Sequence, residues 1–185
     1  MNSFKIILAA LLIFLNTFFA VNVFAQESTD TASPSAAVSS YELFWPITAG
    51  RTMGDSLYWL KELKESLRGF FIFGDLKKAS YNIELSDKRI VEAEKLFIDI
   101  KDYSNGKKTL EEANLKREQA LRLLSAAYNS KKPIDSSVER VKSSLERQKV
   151  LLESIKVKVP QDQQENISQG IEAINKHISS IQDSF

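Results

Sequence analysis

From residue 56 onward, apolar residues return every three or four positions, the period of a helix with one face toward a core. Residues 56–68 carry Leu57, Leu60, Leu63 and Leu67 at that spacing, and Gly54-Asp55-Ser56 reads as the helix start with Asp55 as N-cap. Asp75 can cap a second, long helix with Leu76, Ala79, Ile83, Ser86, Ile90, Ala93, Phe97 and Ile100 on one stripe, and Asn105-Gly106 reads as its stop. A third helix is predicted over 109–130, with Leu110, Ala113, Ala120, Leu124 and Ala127 inward. Pro133 breaks the chain, and Ser136 with Glu139 spells a capping box for a fourth helix. Its seam of Val138, Val141, Leu145, Gln148, Leu152, Ile155 and Val159 steps alternately by three and four. Pro160 opens a fifth helix, whose Ile167, Ile171, Ile174, Ile178, Ile181 and Phe185 do the same. The short turn between these two seams predicts an antiparallel, coiled-coil-like hairpin, in which Gln148 sets register or meets a polar neighbour. There is no alternating β-branched run. The expected fold class is therefore all-α: an antiparallel helical bundle of four to five helices with a coiled-coil-like C-terminal hairpin over 54–185.

The first 53 residues follow other patterns. Met1 to Ala25 holds one charge, Lys5, and an apolar run from Ile6 to Leu15 that Phe18 to Val21 continues. It closes on Val23-Phe24-Ala25, which is the layout of a secretory signal peptide cleaved after Ala25. The competing reading is an uncleaved anchor, because the apolar stretch is nearly long enough to span a bilayer. Both readings place the bulk of the chain outside the cytoplasm: periplasmic, cell-surface or secreted, or anchored if the segment stays. Residues 26–40 are small and polar and read as a flexible linker. Residues 41–53 form an aromatic leading segment, aperiodic and broken by Pro46 and Gly50, expected to be extended and docked.

Composition narrows the function. Among 185 residues there are 25 Lys+Arg, 24 Asp+Glu, one His and no Cys. The even balance argues against a nucleic-acid partner, and the missing Cys removes disulfides, thiolate nucleophiles and lipid attachment. With one His, most catalytic and metal-ligating constellations are gone, so no cofactor, no metal and no enzymatic activity are expected. Residues 105–159 carry 13 basic against 7 acidic side chains, and 160–185 one against four, which solvated helix faces explain.

Candidate chemistry is scarce. Gly54-Asp55-Ser56-Leu57 spells the nucleophile block of the GDSL esterases, but that chemistry needs a His base from an Asp-x-x-His. The only His is His177, with Ile174 three positions before it, so the block reads as a helix cap and His177 as a packing residue. The carboxylate pairs Glu92/Glu94, Asp99/Asp102 and Glu111/Glu112 read as solvated faces, and the Asn166-Ile167-Ser168 sequon lies within a predicted helix. The feature that stands out is aromatic. Eight of the 13 aromatics beyond residue 25 lie between Tyr41 and Phe73: Tyr41, Phe44, Trp45, Tyr58, Trp59, Phe70, Phe71 and Phe73. They read either as the core cap of the bundle or as an interaction surface for an envelope protein or a membrane, with Lys61, Lys64 and Arg68 nearby.

Two stretches carry a resemblance. Gly54-Asp55-Ser56-Leu57-Tyr58-Trp59-Leu60-Lys61, followed by Leu63-Lys64-Glu65, resembles the "DSPLYPLKRxxE" opening of an uncharacterised bacterial family, catalogued as domain of unknown function 5667. Leu85 to Leu96, with Arg89, Glu92 and Ala93, resembles that family's "AxRRLxEAexL" stretch on the next helix. The resemblance covers residues 53–128, with Trp59 where the family has Pro. It implies an exported helical segment and carries over no catalytic residue. The pairs Arg89/Glu92 and Tyr58/Lys61 are explained by helix-surface ion pairing and packing. The expected function is a non-enzymatic binding or scaffolding module of the cell envelope; the alternative is a membrane-surface module docking through residues 41–73. The C-terminal heptad helices are also able to pair between chains, as a homo-oligomer.

Overall fold

Four amphipathic helices with long apolar stripes build the core, and residues 38–73 before them pack onto it. The computed structural model describes residues 38–185, so the expected signal peptide (1–25) and most of the expected linker (26–40) lie outside the described residues. In chain order the helices are α1 (Ser40–Phe44), α2 (Tyr58–Phe70), α3 (Asp75–Glu94), α4 (Tyr103–Asn129), α5 (Asp135–Lys158) and α6 (Gln161–Ser184), with a π-helical turn at Lys95–Ile100. No strand occurs among the described residues. The protein is a helical bundle.

α3 packs along α4 and α5, and α6 packs along α5 and α4. Asp75 meets Lys132 and Arg89 meets Glu112, so α3 and α4 run antiparallel. Leu152 lies over Gly170, and only Val159-Pro160 separates α5 from α6, so these two form the expected antiparallel hairpin. The hairpins sit side by side. Asp87 reaches Ser144, and Asn114 reaches His177, which sets α3 beside α5 and α4 beside α6. The interior is filled by Ile83, Ile90, Phe97, Leu124, Leu145, Leu152, Ile167 and Ile174. Most of the heptad seam lies in the bundle core, with Val138, Ile171 and Ile178 half-buried, and its last member, Phe185, is exposed and packs edge-on against Tyr128 at 5.5 Å.

The boundaries depart from the sequence reading in instructive places. Asn105-Gly106 does not stop the second helix. The chain instead widens into the π-helical turn, reverses at Lys101 (φ 60°), and restarts six residues before Thr109 because Asp102 caps α4. The Asp102 carboxylate accepts the Asn105 N–H at 3.1 Å. Gly106 lies in the first turns of α4, where a Cβ would stand 2.8 Å from the Phe97 ring. Close approach of two helices, not chain reversal, is the reason for that glycine. The Ser136/Glu139 capping box does not form either; Ile134 is the N-cap, with no side-chain cap bond, and Asp135 supplies the favourable charge of the first turn.

The leading segment is not wholly extended. Ser40–Phe44 winds into α1, with the Glu42 carboxylate accepting the Ser39 N–H at 3.1 Å. Phe44 enters the core, so this segment belongs to the same compact unit as the bundle, Ala37–Phe185. Asp55 is not the N-cap of the first helix. It accepts the Leu57 N–H at 2.9 Å within a preceding turn, and α2 begins only at Tyr58.

Candidate functional site

α2 is amphipathic in the ordinary way, yet it is docked in reverse. At 100° per residue Tyr58, Lys61, Glu65 and Arg68 share one side, while Trp59, Leu60, Leu63, Leu67, Phe70 and Phe71 fill an arc of about 120° on the other. The polar side is the one that meets the bundle. Tyr58 and Glu65 are buried, whereas Leu63, Leu67 and Phe71 are 48%, 53% and 69% exposed.

Arg89 on α3 is the centre of that contact. Its guanidinium donates to Glu65 at 2.7 Å, to Glu112 at 2.8 Å and to Glu92 at 3.2 Å, one carboxylate from each of α2, α4 and α3. Lys88 adds a bond to Glu65 at 2.6 Å. Lys61 pairs with Glu92 and donates to the Arg51 carbonyl at 2.7 Å. Three cations and three carboxylates balance, so the cluster tolerates burial. Tyr58 closes it, with Lys61 over its ring at 4.8 Å and Arg89 at 5.6 Å. Burial pushes the Tyr58 phenol well up, so it stays neutral and donates weakly to Glu112 at 3.4 Å. Farther along, Tyr81 donates to the Glu65 carbonyl at 2.8 Å, and Arg68 lies 5.1 Å over the Tyr81 ring. A buried ionic contact of this kind adds little net stability but accepts few alternatives, and so fixes the register and facing of α2.

The charge state sets a pH dependence. Burial opposes the Glu65 charge, but the bonds from Lys88 and Arg89 outweigh it and hold the carboxyl below its ordinary 4.5. A carboxylate with a lower folded pKa adds stability above its unfolded value, and that stability is lost as pH falls through the folded one. Glu65→Gln should therefore remove part of the acid-side fall in stability below pH 4.5, read by urea unfolding across pH 2–7.

The eight aromatic positions do not form one patch. Phe44 lies in the core and Tyr58 in the ionic cluster. Tyr41 and Trp45 pair at 5.0 Å on α1 and just after it, near the end of α3, where Ser40 donates to Glu94. Trp59, Phe70, Phe71 and Phe73 are exposed on α2 and the link that follows it. Neither expectation, a core cap or a single surface, describes all eight.

A second polar constellation lies inside the bundle, where Gln148 meets the polar neighbours expected of it, though the sequence did not say which. Gln148 is fully buried. Its amide donates to Asp87 at 2.8 Å, and its carbonyl oxygen accepts from Arg117 at 2.9 Å. Ser144 bonds the same Asp87 oxygen at 2.5 Å. On the far side Arg117 reaches Asn114, whose oxygen stands 2.9 Å from His177. Burial pulls Arg117 down to about 10 and pushes Asp87 up. Burial, helped by the charge on Arg117, also lowers His177. The signal was present: Arg117 fills the position between Ala113 and Ala120 that continues the α4 stripe.

The remaining candidates have structural occupations. Ser56 is exposed in the turn before α2, with no His beside it among the described hydrogen bonds. Glu92 and Glu112 belong to the Arg89 cluster, Asp102 caps α4, and Asn166-Ile167-Ser168 is helical. No group of His or carboxylates gathers as metal ligands among the described residues.

The fold and site thus define a four-helix bundle bearing a side helix held by two sequence motifs. Tyr58, Lys61 and Glu65 come from the first motif, and Arg89 and Glu92 from the second. The chain belongs to the family described as Domain of unknown function (DUF5667), which matches residues 50–183. That span runs beyond the 53–128 read from the motifs and takes in α5 and nearly all of α6. No curated protein matches the chain, and no solved structure does.

Proposed function

We propose that this protein is a non-enzymatic docking module of the bacterial cell envelope, exported by its first 25 residues, with the outward face of α2 as its contact surface. The observation that carries the reading is the reversed helix. α2 spends its polar side on the bundle and leaves Leu60, Leu63, Leu67, Phe70 and Phe71 in solvent. Contiguous exposed apolar area of this kind marks interaction sites, and single scattered residues do not. The location rests on the signal-like layout of Met1 to Ala25. The absence of catalytic work rests on chemistry: the titratable groups that burial perturbs are tied up in structural pairs.

Trp45→Phe leaves Trp59 as the sole tryptophan, on the edge of the proposed surface. In dilute solution its emission should be that of a water-exposed indole and should be quenched by acrylamide nearly as well as in urea. Blue-shifted, shielded emission from the dilute monomer would place the α2 face in the core and end this reading.

A further inference from the structure

The apolar arc of α2 does not end with the helix. It runs through Phe71 and Phe73, 69% and 75% exposed, onto the end of the bundle where α3 starts and α4 stops. That end is rimmed with cations. Lys77, Lys78 and Lys131 are exposed there, Lys64 flanks the arc on α2, and none of the four has a carboxylate partner among the described residues. The nearest acids are largely spent: Asp75 pairs with Lys132 at 2.7 Å and Glu84 with Arg68 at 3.2 Å. Glu62 and Asp135 are exposed acids in the neighbourhood, so the rim keeps a positive excess. α2 has 13 residues and a length of about 20 Å, enough to lie flat in an interface with Leu and Phe side chains below it and lysines at headgroup level.

We propose that the occupant of this surface is an anionic lipid leaflet, on which α2 and the Phe70–Phe73 link lie flat while Lys64, Lys77, Lys78 and Lys131 meet the headgroups. The inference rests on the docking reading above and names the partner. A second copy of the chain fits less well. Packing two cation-rimmed patches face to face sets like charges against one another, whereas anionic headgroups complement them. The mixture of Trp, Phe, Leu and Lys on one helix face and its adjoining loop is the composition of an interfacial element.

The test uses the full chain carrying Trp45→Phe. Because Met1 to Ala25 can itself bind lipid, the readout is quenching of Trp59 and not sedimentation. Vesicles of phosphatidylglycerol and phosphatidylcholine with brominated acyl chains should quench Trp59, and phosphatidylcholine alone should do so far less. The triple change Lys64→Gln, Lys77→Gln, Lys78→Gln should weaken the quenching interaction about a hundredfold, and added salt should weaken it too. Phe70→Ser, Phe71→Ser and Phe73→Ser together should abolish quenching and leave urea unfolding unchanged, since all three side chains are exposed.

Unquenched Trp59 on a vesicle-bound chain would overturn the proposal, as would equal quenching on neutral vesicles that ignores the lysines. If Trp59 is untouched by lipid but becomes shielded as the chain self-associates with rising concentration, the lipid proposal falls and the docking surface stands. If Trp59 is already shielded in the dilute monomer, both fall.

Discussion

Replacing Arg89 by Ala should remove up to about 3–5 kcal/mol from the docking of α2 onto the bundle. Arg89 is 3% exposed and satisfies three carboxylates at once. Burial works against its charge, but Glu92 and Glu65 more than offset this and hold the guanidinium above its ordinary range, so it stays charged at any working pH. Without it Glu92, wholly buried, keeps only Lys61, and Glu112 keeps only the long contact to Tyr58. The four bundle helices retain their own apolar core, so the loss should appear locally. In the variant, trypsin should cut at Lys61, Lys64 and Arg68 at urea concentrations where helical circular dichroism still reports an intact bundle. Arg89→Lys should behave nearly as badly, because a point charge cannot bridge three carboxylates as a planar fork does. Arg68→Ala is the contrast. Its pair with Glu84 is solvent-exposed, and losing it should shift stability by no more than about 1 kcal/mol. Protease resistance equal to wild type in Arg89→Ala would show that the cluster does not hold the helix.

Gln148→Leu should destabilise the bundle itself by about 3 kcal/mol, although the change is close to isosteric and adds apolar surface. Gln148 bridges a buried cation and a buried carboxyl that do not touch. Its loss leaves Arg117 with one long bond to Asn114 at 3.4 Å, in a side chain whose Nε already has no partner among the described residues. Asp87 suffers less, because Ser144 still donates to it and burial already favours its neutral form. Adding Arg117→Met to Gln148→Leu should therefore restore most of the loss, since buried ionic groups replaced together by apolar ones are often neutral or better. Urea unfolding of the two single variants and the double variant completes the cycle. Additive losses would mean that Arg117 and Gln148 act independently, contrary to the geometry.

The core was legible because its signal is local. The stripes on α3 to α6 repeat with helical period, each points at another stripe, and the short turns leave little choice of neighbour. The facing of α2 was not legible for the same reason. Periodicity names an apolar side of the helix but not whether anything covers it. What decides the matter is charge complementarity between Lys61 and Glu65 on one helix and Lys88, Arg89 and Glu92 some 23–31 residues later, a tertiary match that no local window contains. Gly106 misled in a related way. A glycine that ends a helix and a glycine that admits a neighbouring ring are the same letter, and only the position of Phe97 separates them. Arg117 was readable as an interruption of the α4 stripe, and Gln148 as one in the α5 stripe. That the two interruptions face each other is again set by how the hairpins pack.

The central claim is that α2 docks by its polar face and offers its apolar face outward. The chain has no cysteine, so single-cysteine variants report position without background. Thiol labelling of Leu63→Cys and Leu67→Cys, against Ile83→Cys as the buried control, tests it directly. The account predicts that the thiols at 63 and 67 react in the dilute folded protein nearly as fast as in urea, while the thiol at 83 is protected by orders of magnitude. Protection at 63 and 67 comparable to that at 83 would mean that the leucine stripe faces a core after all, and the account would be wrong.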